Sequence, residues 1–303
     1  MHIRILLIIL FSIFQFFSIA QQADKKLQKQ VEKLIAGYNG EIGVYIKNIK
    51  NNKIVAIHAD SIFPTASQVK IPILLGVMDK IYRGELSYEE EFIYRDSLYY
   101  AGVDILGSFK EDEKIQLGKL LMLMLTMSDN TASLWLQSLA GTGTAINELL
   151  NQNGFTATRV NSRTPGRENF RTINGWGQST PREMATLFER IYKGELISKA
   201  ASDKMLRLLN RTYFDKVAIS QIPPYATIYA KYGAVNQTRN EVLLVKGCEA
   251  LYVFAIMTKN NKDESWKSDN EAWELTKKIS NLLWNYFEPK DSWTPDAKAE
   301  LFN

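Results

Sequence analysis

Ser67 and Lys70 stand three residues apart in the run Thr65-Ala66-Ser67-Gln68-Val69-Lys70-Ile71-Pro72, where an apolar helical pattern begins. Residues at i and i+3 share a helix face, so a hydroxyl and an amine can meet there within hydrogen-bonding distance. The free N–H groups of a helix start favour negative charge and lower the cost of a neutral lysine. The pair is therefore a candidate nucleophile with its base. Ser128-Asp129-Asn130 follows directly on a largely apolar run, 117–127, and three small polar residues there either cap the next helix or face a cleft. Lys231 lies in the strand-like run 228–234, two residues before Gly233, and glycine lets another backbone or a ligand come close.

Scarcity narrows the chemistry. Cys248 is the only cysteine, so no internal disulfide can form, and His2 and His58 are the only histidines. A Cys/His zinc site cannot be assembled from that inventory, and neither metal nor cofactor is expected. A Ser-His-Asp hydrolase would need His58, which closes Lys53-Ile54-Val55-Ala56-Ile57-His58, a β-branched run that reads as an ordinary strand. The base of a serine enzyme here is then a lysine or a carboxylate.

The elements that must position these residues follow from periodicity. Leu27, Val31, Leu34 and Ile35 mark a first helix over 23–36, stopped by Gly37-Tyr38-Asn39-Gly40. Alternation in 41–49 and 53–58, separated by Lys50-Asn51-Asn52, predicts two antiparallel strands. A helix is predicted over 66–83, with Pro72 as a candidate kink, and 84–116 reads as a long irregular stretch whose Ser97-Leu98-Tyr99-Tyr100-Ala101-Gly102 either walls a cleft or packs on the surface. A buried helix over 117–127, another over 131–139, strands over 228–234, 241–245 and 250–258, and a last helix over 266–286 complete the outline.

Composition sets the class. Of 303 residues 46% are hydrophobic and 23% charged, which suits a globular protein with a substantial core. A net charge of only +4, without a long basic cluster, argues against a nucleic-acid partner. Residues 1–20 read as a secretory signal, with His2 and Arg4, an apolar run and Ser18-Ile19-Ala20, so the mature chain is expected to be exported to the periplasm or outside the cell, with no stable membrane span.

Ser67-x-x-Lys70, Ser128-Asp129-Asn130 and Lys231-Tyr232-Gly233, in this order, resemble the penicillin-recognising serine enzymes: class A β-lactamases and the related penicillin-binding proteins. Ser128-Asp129-Asn130-Thr131-Ala132 and Ser179-Thr180-Pro181-Arg182-Glu183-Met184-Ala185 bring it nearest class A. The resemblance implies an α+β, β-lactamase/transpeptidase-like fold: an antiparallel five-stranded sheet flanked by helices, plus an all-helical lobe. It places a signal at 1–20, one catalytic domain at 21–288 (an α/β lobe from 21–62 and 195–288, a helical lobe from 63–194) and a tail at 289–303. It implies Ser67 as acylated nucleophile, Lys70 in its deprotonation, Ser128 as proton donor to the leaving nitrogen, and Lys231 as carboxylate binder and assistant to Ser128. Asn130 would bind the substrate amide, Tyr232 and Gly233 would line the substrate strand, and Ala234 would share the oxyanion hole with Ser67. The expected partner is a small β-lactam or peptide-like substrate, bound by a monomer.

Two positions depart from the family pattern. Tyr232 stands where Thr or Ser is usual. Thr164, in Arg163-Thr164-Pro165-Gly166-Arg167-Glu168, stands where class A has the glutamate that activates the deacylating water, and Glu168 is the remaining carboxylate candidate in that loop. Three functions stay open: a β-lactamase, a related serine hydrolase or peptidase acting on a peptide or cell-wall fragment, and a silent binding module.

Overall fold

The computed structural model describes residues 21–102, 104–296 and 298; the segment read as a signal lies outside the described residues. A short strand, β1 (Gln22–Ala23), precedes α1 (Lys25–Ile35), which Asp24 caps by accepting the Leu27 N–H at 3.1 Å. Strands β2 (Glu41–Asn48) and β3 (Lys53–Ile57) form the expected antiparallel pair, with Val44 opposite Ile57. After β4 (Phe63–Pro64) comes a single 3-10 turn, Ala66–Val69, and only then α2 (Lys70–Tyr82). The expected helix over 66–83 is thus two segments. Ala66 has φ +47°, outside helical space, and Pro72 falls at the third residue of α2, where a backbone N–H has no partner within the helix and its loss costs little.

The stretch 84–116 is less irregular than its sequence suggests. β5 (Glu91–Ile93) and β6 (Lys114–Gln116) pair antiparallel within it, and they are too short for alternation to reveal. Helices α3 (Leu117–Thr126), α4 (Asn130–Leu139) and α5 (Thr142–Gln152) pack around α2, whose residues 70–78 are all buried. Further on, β7 (Arg159–Val160), α6 (Glu168–Asn174) and β8 (Gly177–Ser179) form the loop before α7 (Pro181–Lys193), and β8 lies between β4 and β7 in a small sheet.

After α8 (Lys199–Leu209), the hairpins β9 (Thr227–Val235), β10 (Thr238–Lys246) and β11 (Leu251–Lys259) complete the main sheet, in the order β1-β3-β2-β11-β10-β9. Five strands run antiparallel as expected; the sixth, β1, adds two residues in parallel to β3. Alternation assigns the two faces: Val242 and Leu244 join a core with α2, α3 and α7, while Leu243 and Val245 join a second core with α1 and α9 (Glu271–Phe287). α9 starts five residues later than its periodicity suggested, because Asn270 caps it, its side-chain oxygen accepting the Ala272 N–H at 3.1 Å. Among the described residues no helix is long and apolar enough to cross a membrane. β9 ends the sheet, so among the described residues one of its edges has no strand partner, and the 3-10 turn packs against this strand.

Candidate active site

The 3-10 turn carries Ser67, and Lys70 opens α2 one turn on, with Lys70 Nζ 3.1 Å from Ser67 Oγ. The amine is completely buried and also reaches Ser128 Oγ at 3.0 Å, the Ser128 carbonyl, and Asn130 Oδ1 at 3.0 Å. Burial pushes its pKa well below the usual lysine value, and the neighbouring Lys231 ammonium adds to this, against the opposing pull of Asp129. The geometry therefore sets a serine hydroxyl against a lysine amine whose burial eases the loss of its proton.

The capping reading of Ser128-Asp129-Asn130 holds for Asp129. Asp129 caps α4, its Oδ1 accepting the Ala132 N–H at 2.7 Å, while Oδ2 accepts the N–H groups of Ile105 and Leu106 at 2.6 and 2.9 Å and ties down the preceding loop. Ser128 and Asn130 turn to Lys70. Ser128 holds φ +58°, a strained value for a side chain with a Cβ, and the bonds around it fix that conformation.

Lys231 completes the cluster from β9. Its Nζ lies 3.0 Å from Ser128 Oγ and 2.9 Å from the Tyr232 carbonyl, so Ser128 Oγ stands between two buried amines. Desolvation lowers the Lys231 pKa to about 7, partly offset by Glu241. Gly233 explains how β9 comes this close: a Cβ there would lie 2.9 Å from both Ser67 N and Thr65 O. Ala234 follows on the same strand.

Two neighbours of Lys231 carried no sequence signal. Glu241, opposite Tyr232 on β10, is buried in a strand of otherwise ordinary pattern; desolvation raises its pKa to about 8, and one oxygen accepts the Ala218 N–H at 3.0 Å. Phe214, in a segment without periodicity, stacks on Tyr232 with ring centroids 5.4 Å apart and has Lys231 Nζ 5.9 Å from its centre.

The loop 161–179 carries the remaining candidates, Thr164 and Glu168. Thr164 is buried, donates its hydroxyl to the Ser162 carbonyl at 2.9 Å, and fills the space above Gly143, where a Cβ would come within 1.8 Å of its oxygen. Glu168 is exposed at the start of α6 and accepts the Gly166 N–H at 3.1 Å. Arg167 pins the loop through Asn161 and Gln178, at 2.8 and 2.9 Å. On the other rim Tyr100 meets Trp176 edge-on at 5.0 Å, so the tyrosine bridges two loops, and Gly102 sits where a Cβ would come 2.7 Å from Asn130 Nδ2. His58 is a strand-end residue, its Nδ1 3.0 Å from the Ile42 carbonyl.

A model of the Beta-lactamase enzyme family matches residues 26–287. The chain is 26% identical over 298 residues to β-lactamase VEB-1 of Pseudomonas aeruginosa, covering 94% of this chain and 97% of that protein. It is 22% identical over 263 residues to β-lactamase 3 of Bacillus cereus, covering 86% and 82%. Among solved structures it is similar to PBP-A and to a PBP-A mutant held as an acyl-enzyme with penicillin G, each with a TM-score of 0.79 at 25% identity over 89% of this chain and 98% of that one. The extended-spectrum β-lactamase TLA-1 shares the fold, with a TM-score of 0.77 at 18% identity over 86% and 98%.

Proposed function

The chain belongs to the β-lactamase enzyme family, its model spanning residues 26–287, and from that premise we propose that this serine hydrolase opens β-lactam amides through an acyl-enzyme at Ser67. The observation that carries the proposal is the buried Lys70 amine, 3.1 Å from Ser67 Oγ and shifted toward its neutral form. Lys70 takes the Ser67 proton as Oγ bonds to the lactam carbonyl carbon. The resulting oxyanion is held by the backbone N–H groups of Ser67 and Ala234. As the C–N bond breaks, Ser128 gives its proton to the leaving nitrogen and recovers one from the amines that flank it, Lys70 and Lys231. Asn130 presents its amide to the substrate's side-chain amide, and Lys231, in its protonated form, attracts the substrate carboxylate. Tyr232 and Gly233 line the strand along which the substrate lies.

A second reading, a related hydrolase acting on a peptide or cell-wall fragment, is favoured by one feature. Neither Thr164, whose hydroxyl is spent on the Ser162 carbonyl, nor the exposed Glu168 supplies an evident base for the deacylating water. In either reading residues 21–288 act as the catalytic unit of an exported monomer, and the purified mature protein should begin near Gln21. Intact-mass analysis after mixing with penicillin G tests the acylation step. The wild type should gain one adduct, Ser67→Ala none, and Lys70→Ala should acylate roughly 10²–10⁴-fold more slowly. An adduct that survives in Ser67→Ala would remove the mechanism.

A further inference from the structure

We propose that the aromatic pocket beside Lys231 is a subsite for a planar, negatively charged aromatic group on the leaving-nitrogen side of the substrate. The pocket encloses about 470 Å³, within the roughly 300–1,000 Å³ of small-molecule sites. Phe214, Tyr232, Trp266 and Trp273 supply its rings, Lys216 adds positive charge to its wall, and Lys277, also in the wall, is paired with Glu274 at 2.9 Å. Tyr232 stacks on Phe214 and tilts against Trp273 at 6.4 Å, and Trp273 meets Trp266 edge-on at 6.0 Å, so the rings hold one another in place without a ligand.

Position assigns the side of the substrate. Lys231 Nζ lies 3.0 Å from Ser128 Oγ and 5.9 Å from the centre of the Phe214 ring, so proton donor and pocket share one amine. Ser128 is the proposed donor to the leaving nitrogen, so a substituent on that nitrogen comes within reach of the ring that faces Lys231. This step rests on the acylation reading.

Charge assigns the ligand. Aromatic pockets also attract cations, but these ring faces already have theirs: the buried Arg239 guanidinium lies 4.5 Å from Trp266 and 5.1 Å from Trp273, and Lys231 faces Phe214. With Lys216 added, a cationic guest is repelled and an anionic ring is attracted. Tyr232 thus replaces a hydroxyl contact with a stacking surface.

The test is calorimetric titration of the Ser67→Ala protein with 2-naphthoate, which requires no acylation. One saturable site is expected, weakened roughly tenfold by Trp266→Ala, since an aromatic contact is worth about 0.5–1.5 kcal/mol beyond its area. Trp266 is 65% exposed, which makes the substitution mild for the fold. Lys216→Glu should weaken 2-naphthoate severalfold, and 2-naphthylmethylamine should bind more weakly than 2-naphthoate. No saturable binding, or an affinity unchanged in both variants, would overturn the subsite. Absence of a covalent adduct on the wild type would overturn the acylation reading and leave the titration standing.

Discussion

Two lysines flank Ser128 and a carboxylate is buried on the neighbouring strand, and burial displaces each from its ordinary state. Lys70 is driven toward the neutral amine, Lys231 has a pKa of about 7, and Glu241 is raised to about 8. The signs determine how stability follows pH. Across roughly pH 5 to 8 the folded chain keeps a proton on Glu241 that the unfolded chain has released, so this residue makes stability fall as pH rises. Lys231 does the reverse between roughly pH 7 and 10, where the unfolded chain binds a proton that the folded chain lacks. Glu241→Gln should therefore flatten the fall in Tm between pH 5 and 7 and leave the rise above pH 8. Parallel Tm curves for wild type and variant would show that Glu241 ionises freely. Ser67, Lys70, Ser128, Asn130 and Lys231 were legible because their spacing repeats a family pattern. Glu241 and Phe214 were not: a carboxylate at an alternating strand position reads as solvent-facing until the packing on both faces of β10 is known.

The elements near the site are held by few, identifiable bonds. Asp129 caps α4 and also restrains the loop at Ile105 and Leu106, so Asp129→Ala removes three charge-assisted acceptor contacts at once. A loss of about 2–4 kcal/mol is expected from chemical denaturation, accompanied by slower acylation. A stability loss confined to a few tenths of a kcal/mol would mean that the loop is held elsewhere. In the loop 161–179, Glu168 faces solvent, and Glu168→Gln should leave the deacylation rate within a factor of two; a hundredfold drop would identify it as the base. Long elements such as α1, α2 and β9–β11 were legible because their patterns run over two or more turns or several alternations. The 3-10 turn at Ala66–Val69 and the three-residue strands β5 and β6 were not, since tertiary contacts, rather than local periodicity, define them.

At the scale of the whole molecule, two apolar cores on opposite faces of one sheet carry the fold without covalent help. Cys248 is exposed and free, so reducing agent should leave Tm unchanged; a clear drop would reveal an intermolecular disulfide. The sheet's edge strand β9 and the start of α2 come from segments more than 150 residues apart in sequence, and the site exists only where the two cores bring them together. Under the proposed mechanism Ser67 acylates readily, while Thr164 occupies the loop position where the family has its carboxylate. Loss of one general base corresponds to roughly 10²–10⁴-fold in rate. Stopped-flow mixing with excess chromogenic cephalosporin tests this directly. A burst near one equivalent of enzyme followed by a slow steady rate is predicted, and fast linear turnover without a burst would contradict it.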